Sequence, residues 1–284
     1  MKTSDLAIGA ALDRVRASCD VDARRAADPV GIVHRFTDAS DQELVALVAA
    51  CIAFGNVTTI RAKLEDALER LGPHPALTAD DVADTKRRMR GWVHRVFRGD
   101  DIARLVVGAR GVQRESGSLG ARFATELVSH GALRPALAAW CEAIRAAGNL
   151  RPDPRRRGPA HLLPSPGPSA SKRLFLFLRW MIRPADGVDL GLWRGVDPSI
   201  LLCPVDVHIH KLSRNLGFTR RRDLSWRTAE EITAALARYD AADPVKYDFS
   251  LCHLGMLQGC PSRRDPKRCD GCGVQSVCRH WRRG

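Results

Sequence analysis

The chain has 284 residues, of which 45% are hydrophobic, and a formal net charge of +13 at pH 7. This length is enough to bury a core, either as one large domain or as two lobes. The first residues lack the apolar region of a secretory signal peptide, and no stretch approaches the roughly 18 uncharged apolar residues of a membrane-spanning helix. We therefore expect a cytoplasmic protein without a membrane partner.

The positive charge is concentrated in the C-terminal half of the sequence. Residues 1–150 carry 21 Lys and Arg against 19 Asp and Glu, whereas residues 151–284 carry 24 against 13. A basic surface of this kind attracts polyanions. The second half is therefore the predicted contact surface for nucleic acid.

The hydrophobic pattern predicts helices along the first half of the chain. Residues 44–54 are apolar on every side, which predicts a buried helix that ends at Gly55-Asn56. An amphipathic helix is predicted from Thr58 or Thr59 to Leu71, because its apolar residues recur on one face. Two further amphipathic helices are predicted over 79–106 and 118–147, separated by the glycine-containing stretch 108–119.

The second half is also predicted to be helical, after an irregular segment. Residues 151–169 contain six prolines, which exclude regular structure through most of that stretch. Strand-like alternation is nearly absent, so the predicted fold class is all-α. The predicted helices of this half are Ser171–Ile182, Asp206–Leu216, Thr228–Arg238 and Tyr247–Gln258.

Four cysteines crowd the end of the chain with the spacing C-x8-C-x2-C-x5-C: Cys260, Cys269, Cys272 and Cys278. A zinc ribbon usually carries two C-x2-C knuckles, whereas this segment has one knuckle flanked by longer arms. Unequal arms favour a [4Fe-4S] cluster with one thiolate on each iron. Structural zinc, and free or disulfide-paired cysteines, remain the alternatives. The five other cysteines are predicted to be small core residues.

Two segments in the basic half carry candidate chemistry. The first is Pro166–Lys172, where a Pro/Gly/Ser hairpin precedes a buried helix and leaves backbone N–H groups available to a phosphate. Lys172 in the first turn of that helix is a candidate nucleophile, and the alternative is an ordinary exposed lysine. The second is Asp206, which follows Pro204-Val205 at an expected helix N-cap, so a purely capping role is its alternative.

The order of these segments resembles that of the helix-hairpin-helix DNA glycosylase superfamily, in particular its endonuclease III branch with a C-terminal [4Fe-4S] loop. Relative to that pattern, residues 183–202 form an insertion. The whole chain also resembles an uncharacterised bacterial family that shares the LFLRWMIR stretch. The resemblance is carried by Ser171-Lys172, Val205–Ile209, Leu254–Cys260 and the four cysteines.

The resemblance implies a mechanism and a partner. Lys172 would attack C1′ of a damaged nucleotide to form a Schiff base, and Asp206 would stabilise the cationic sugar. The base must first leave the stack, which implies a wedge residue, for which Asn56 or one of its neighbours is the candidate. The partner would be double-stranded DNA, with RNA left open, and the protein would be a nucleoid-associated monomer. The implied DNA contacts are Gly167, Ser169, Ser171, Arg173, Asn56, Arg263, Arg264, Lys267 and Arg268.

The resemblance also implies the domain organisation. Residues 1–258 would form a two-lobed helical glycosylase-like domain with its hairpin near 162–182, and residues 259–284 would form the iron–sulfur loop. The expected activity is that of a DNA repair glycosylase that excises a damaged base and cleaves the abasic site as a lyase. A non-catalytic nucleic-acid-binding protein of the same fold, and a zinc-stabilised scaffold, are the alternatives.

Overall fold

A computed structural model describes the backbone of residues 3–282 and the side chains of residues 5–282. Residues 1–2 and 283–284, at the outer ends of the two predicted domains, lie outside the described residues. Helices form most of the described chain, and its only sheet has two short strands, which confirms the all-α prediction. No helix of the described residues is both long and apolar enough to span a membrane.

The elements follow one another with short connections. The strands β1 (Val93–His94) and β2 (Phe97–Arg98) pair in an antiparallel hairpin. Short 3-10 helices occupy Pro198–Ile200, Pro244–Tyr247 and Gln275–Val277. The α-helices are, in chain order, α1 (Thr3–Ala17), α2 (Val21–Ala27), α3 (Val30–Val33), α4 (Ala39–Ile52), α5 (Val57–Leu71), α6 (Pro75–Ala79), α7 (Val82–Arg88), α8 (Gly99–Ser116), α9 (Leu119–His130), α10 (Leu133–Ala147), α11 (Gly158–Leu162), α12 (Lys172–Ile182), α13 (Val207–Leu216), α14 (Trp226–Ala237), α15 (Asp248–Leu257) and α16 (Pro266–Cys269).

The chain divides into two compact units. Unit 1 comprises Met1–Arg24, Gly167–Arg179 and Asp197–Gly284, and unit 2 comprises Arg25–Pro166 and Trp180–Val196. The candidate hairpin, Lys172, Asp206 and the four C-terminal cysteines all belong to unit 1. Asn56 belongs to unit 2.

Six of the predicted helices are confirmed within a few residues: α4, α5 and α12 to α15. The apolar run over residues 44–52 is fully buried in α4, as the all-round pattern predicts. The predicted apolar face of α5 is also buried, and it consists of Ile60, Leu64, Ala67, Leu68 and Leu71. The apolar run of α4 and the apolar periodicity of α5 are therefore each sufficient to predict a helix and its buried side chains.

One predicted boundary in unit 2 is wrong. The helix predicted to end at residue 106 continues as α8 through Gly108 to Ser116, and only Gly117 and Ser118 separate it from α9. A Cβ on Gly108 would lie 2.2 Å from the Ile144 carbonyl oxygen of α10, and one on Gly148 would lie 2.0 Å from the Arg104 carbonyl oxygen of α8. These glycines allow two helix backbones to approach each other closely, so they serve packing and not chain reversal.

The predicted helices 79–106 and 118–147 are each interrupted. Between α7 and α8 the chain forms the hairpin of β1 and β2, where the Trp92 indole donates to the Lys63 carbonyl over 3.0 Å. Gly131, at a φ of 63°, ends α9 in the left-handed region, so that α10 begins as a separate helix. Both segments have a hydrophobic pattern with the helical period. A tertiary contact interrupts the helix in the first segment, and a glycine ends it in the second.

A buried carboxylate organises unit 2. Glu43 on α4 is 3% exposed, and its Oε2 accepts hydrogen bonds from the Leu119 N–H at 2.9 Å and from Gln113 Nε2 at 2.8 Å. Its Oε1 accepts from the Gly120 N–H at 3.1 Å and from Trp193 Nε1 at 2.6 Å. Glu43 thereby satisfies the first N–H groups of α9, which have no partner within their own helix.

The same contacts place the insertion in the core. Trp193 is 4% exposed, and its ring lies so close to Gly120 that a Cβ there would come within 2.5 Å of it. Its centroid lies 5.6 Å from that of Phe123 and 6.1 Å from that of Trp140. The insertion 183–202 therefore contributes a core side chain to unit 2.

Replacing Glu43 by alanine is expected to lower the free energy of unfolding by about 3 kcal/mol or more, because four buried donors lose their acceptor. The midpoint of urea unfolding followed by circular dichroism measures this. Glu65→Ala, which removes an exposed carboxylate paired with Arg35, is the control and should cost less than about 1 kcal/mol. Equal effects of the two substitutions would contradict an organising role for Glu43.

Candidate catalytic pair and cysteine loop

The hairpin before α12 is held in place by backbone pairing. The Ala170 N–H donates to the Leu224 carbonyl at 2.9 Å, and the Trp226 N–H donates to the Pro168 carbonyl at 2.9 Å. Ser171 then adopts a φ of 48°, a left-handed conformation that is uncommon for a residue with a Cβ. The chain enters α12 directly afterwards, so pairing with the 224–226 segment fixes where that helix begins.

Lys172, the first residue of α12, meets Asp206, the residue before α13. The Lys172 Nζ lies 3.6 Å from Asp206 Oδ2, with side chains 34% and 18% exposed. Two residues that are distant in sequence are thus brought together. The partial exposure leaves this pair open to a substrate from solvent.

The two oxygens of Asp206 have different partners. Oδ1 accepts hydrogen bonds from the N–H groups of His208 at 2.9 Å and Ile209 at 3.0 Å, so Asp206 is the N-cap of α13. Oδ2 faces the Lys172 amine and accepts from the Cys252 thiol at 3.6 Å. The cap therefore orients the carboxylate and leaves its second oxygen directed at the lysine.

A buried ion pair lies on the elements that carry these residues. Arg179 of α12 and Asp248 of α15 are each 3% exposed and form a salt bridge. Burial raises the pKa of Asp248, although the Arg179 guanidinium opposes the shift. The Cys203 thiol donates to Asp248 Oδ1 at 3.4 Å, and burial beside this carboxylate raises the thiol pKa well above its ordinary value. Cys203 is therefore a protonated core residue, as its apolar context predicts.

Sequence reasoning missed Cys252 and Arg179 as members of this site. The sequence predicts Cys252 to be a core residue like the other single cysteines, yet its half-buried thiol contacts the Asp206 carboxylate. Arg179 interrupts an apolar run in the sequence, and this interruption was the only signal of a buried partner. No sequence pattern indicated which aspartate that partner would be.

Helix α13 also supports the cysteine loop at its other end. Asn215 is 2% exposed, and its amide nitrogen donates to the Cys260 sulfur at 3.2 Å. Its side-chain oxygen lies 3.2 Å from His280 Nε2, and its carbonyl accepts from the Arg279 N–H at 2.9 Å. One buried asparagine therefore fastens the start and the end of the loop to the same helix.

The four C-terminal cysteines carry thiol groups, the ligand type that zinc and iron–sulfur clusters bind. All are free thiols, three of intermediate exposure and Cys278 buried. Burial raises the pKa of Cys272, and charge on Cys260, Cys269 and Cys278 raises it further. Thiols that affect one another in this way share one region of space, and a bound cationic centre would reverse the effect by stabilising the thiolates. No group of three or more Cys, His, Asp or Glu among the described residues is arranged to hold a single metal ion.

The predicted DNA contacts around the loop lie at the surface. Arg263, Arg264, Lys267 and Arg268 are exposed, and the Arg264 guanidinium lies 4.6 Å from the centroid of the Trp281 ring. Within the hairpin, Ser169 is exposed, whereas Gly167, Ser171 and Arg173 are half-buried. Contact of these residues with DNA stays a prediction.

The predicted wedge residue has a structural role in unit 2. Asn56 caps α5 through its side-chain oxygen, which accepts from the N–H groups of Thr58 at 2.9 Å and Thr59 at 3.2 Å. Its exposed position at a helix start is compatible with insertion into DNA only if this cap is retained or replaced. The wedge role also stays a prediction.

The comparisons with known proteins give one family. Residues 28–257 match the family described as "Protein of unknown function (DUF2400)". No curated protein and no solved structure matches the chain. The matched range includes Lys172, Asp206, Arg179 and Cys252, and it ends before Cys260. Because it covers well over half of the sequence, the chain belongs to the DUF2400 family.

Proposed function

We propose that this protein is a helix-hairpin-helix DNA glycosylase with lyase activity that acts in DNA repair on a damaged base. The observation that carries the proposal is the 3.6 Å approach of Lys172 Nζ to Asp206 Oδ2 at the end of a backbone-paired hairpin. An amine beside a carboxylate, on a basic and partly exposed surface, is the arrangement that imine-forming base excision requires. The partner is double-stranded DNA, and the protein acts as a monomer at the nucleoid.

The residues divide the chemistry between them. Asp206 Oδ2 is the nearest carboxylate oxygen for the proton that Lys172 must lose before its nitrogen can attack. The new N–C1′ bond forms as the C1′–base bond breaks, and the electron pair leaves with the base, which takes the proton that Asp206 received. The Asp206 carboxylate, ionised again, then faces the positive charge on the sugar adduct. The attached nitrogen gives a proton to O4′ as the C1′–O4′ bond opens, and this step forms the imine. The substrate nucleotide has to be extruded from the duplex for this attack.

The cysteine loop supports the same proposal as a structural element. Cys260, Cys269, Cys272 and Cys278 would hold a [4Fe-4S] cluster, with zinc as the alternative occupant. The bound group supplies a covalent cross-link between distant points of the loop. Asn215 would position Cys260 toward it through the N–H···S hydrogen bond of 3.2 Å. The loop in turn would present Arg263, Arg264, Lys267 and Arg268 to the DNA backbone.

Borohydride trapping tests the role of Lys172. Incubation with duplexes that contain abasic sites or oxidised bases, in the presence of sodium borohydride, is expected to give a covalent protein–DNA adduct. Lys172→Ala should give none, because the imine nitrogen is missing. Lys211→Ala, which removes an exposed lysine of α13, should retain the adduct. An adduct that survives in Lys172→Ala would refute the assignment, and tight DNA binding without base release on any substrate would favour the non-catalytic alternative.

Substitution of Asp206 separates its two roles. Asparagine is as good an N-cap as aspartate, so Asp206→Asn should keep the melting temperature within about 2 °C of wild type. Base release should nevertheless fall by about 100-fold or more, because the proton acceptor is lost. Asp206→Ala should lose the cap as well, at about 1 kcal/mol. Unchanged base release in Asp206→Asn would show that Asp206 acts only as the N-cap of α13.

Anaerobic purification tests the cluster. The protein is expected to be brown, with about four irons per chain. Cys269→Ser should lose most of the colour and the iron, whereas Cys19→Ser, a substitution of a half-buried cysteine outside the loop, should keep both. A colourless wild-type protein with about one zinc per chain would contradict the iron–sulfur assignment and support the zinc alternative.

A further inference from the structure

A second basic segment lies directly beside the hairpin. Residues 219–227, defined here as the arginine loop, follow α13 and include the first two residues of α14; they contain four arginines and one aspartate, a formal charge of +3. Its residues 224–226 pair with the hairpin through the two backbone hydrogen bonds of 2.9 Å already described. The arginine loop and the hairpin therefore form one continuous edge of unit 1.

The backbone of the arginine loop is fixed at several further points. His210 Nε2 of α13 lies 3.1 Å from the Arg221 carbonyl oxygen. The Thr219 hydroxyl donates to Glu231 Oε2 at 2.6 Å, and the same hydroxyl oxygen accepts from the Arg221 N–H at 3.1 Å. These contacts use backbone atoms and the side chains of His210, Thr219 and Glu231. The guanidinium groups of Arg220, Arg222 and Arg227 take no part in holding the loop.

Asp223, the one acidic residue of the arginine loop, is paired with Arg221. Arg221 donates to both oxygens of Asp223, at 3.1 and 3.0 Å, and these bonds hold the pKa of Asp223 well below its usual range. The Asp223 carboxylate also accepts from the Thr228 hydroxyl at 2.6 Å. Asp223 therefore neutralises Arg221 and leaves the charge of the other arginines uncompensated.

Three arginines of the loop remain without partners. Arg220, Arg222 and Arg227 are exposed, and in the part of the chain that the structure describes their side chains make no hydrogen bond or ion pair. Arg227 also lies in the first turn of α14, where the helix dipole disfavours a cation. Three exposed guanidinium groups without partners on one segment have the charge that attracts a polyanion.

We propose that the arginine loop binds the phosphate backbone of double-stranded DNA through Arg220 and Arg222, with Arg227 adding charge. The loop extends the hairpin along the duplex, so that one rigid edge follows consecutive phosphates on either side of the nucleotide presented to Lys172. This inference rests on the proposed function only for the identity of the polyanion. The arginine loop carries no role in the bond-breaking steps.

The salt dependence of binding tests the proposal. Binding of the full-length protein to an undamaged duplex is measured by fluorescence anisotropy between about 50 and 300 mM salt. The double variant Arg220→Ala/Arg222→Ala is expected to lower the slope of log Kd against log salt by about 2, since each lost phosphate contact removes about one. Affinity at low salt should fall by roughly 10-fold. Arg220→Lys/Arg222→Lys should retain the slope, because a phosphate accepts either cation.

The matched control removes two other exposed arginines. Arg151→Ala/Arg155→Ala takes the same charge from the proline-rich segment of unit 2, and it should leave the slope nearly unchanged. An equal fall in slope for both double variants would mean that only net charge matters and would overturn the proposal. Melting temperatures of all variants should stay within about 2 °C of wild type, because none of the substituted side chains has a partner.

The outcomes separate this inference from the proposed function. If the wild type binds DNA in a salt-dependent way and Arg220→Ala/Arg222→Ala leaves the slope unchanged, the proposed role of the arginine loop is overturned. The proposed function is not affected by that result. No measurable binding of any duplex by the wild type overturns both. Borohydride adducts formed by Arg220→Ala/Arg222→Ala at saturating protein support a binding role, whereas their loss at saturation contradicts it. Tighter binding to an RNA duplex of the same sequence than to DNA overturns the assigned partner.

Discussion

Both candidate sites of unit 1 depend on the placement of one ten-residue helix, α13. At its start, the Asp206 cap satisfies two backbone N–H groups that have no partner inside the helix. At its end, Asn215 holds both ends of the cysteine loop. Gly255 lets α15 pack tightly against it, since a Cβ there would come within 3.1 Å of the His208 side chain. A rotation of α13 would therefore displace Asp206 and the cysteine loop together.

The position of α12 against α15 depends on a buried charge pair. Arg179 and Asp248 are almost inaccessible to solvent, and removing either partner would leave an uncompensated charge in the interior. This pair makes the register of α12 costly to change, because a shift would separate the two charges. Lys172 lies two turns before Arg179 on the same helix, so the buried pair also fixes the position of Lys172. The buried pair thus helps to define the 3.6 Å separation between Lys172 and Asp206.

Much of the site could be predicted because its signals are local. Four cysteines within a short segment, a proline- and serine-rich hairpin before an apolar helix, and an aspartate at a helix start are all visible without knowledge of the fold. The apolar run of α4 and the apolar periodicity of α5 are visible for the same reason. In each case the residues that define the element are neighbours in sequence, so that composition and spacing contain the information.

The remaining features could not be predicted because their partners are distant in sequence. Gly108 looks like a helix breaker until the backbone of α10 is placed against it. Glu43 and Trp193 are hydrogen-bonded across 150 positions, and nothing local marks either as a core contact. Cys252 looks like any small apolar residue, although it contacts Asp206. These features emerge only when separate helices are packed together.

Net charge overstates the surface that a polyanion can use, because many arginines are structural. Arg156 makes a bidentate pair with the buried Asp101, Arg179 pairs with Asp248, and Arg183 pairs with Asp189. A guanidinium whose N–H groups donate to a buried carboxylate has few donors available to bind a phosphate. The arginines that remain available lie on exposed segments whose acidic residues are already paired with other groups, as in the arginine loop. The location of unpaired charge, and not its sum over the C-terminal half, therefore determines which surface is available to a polyanion.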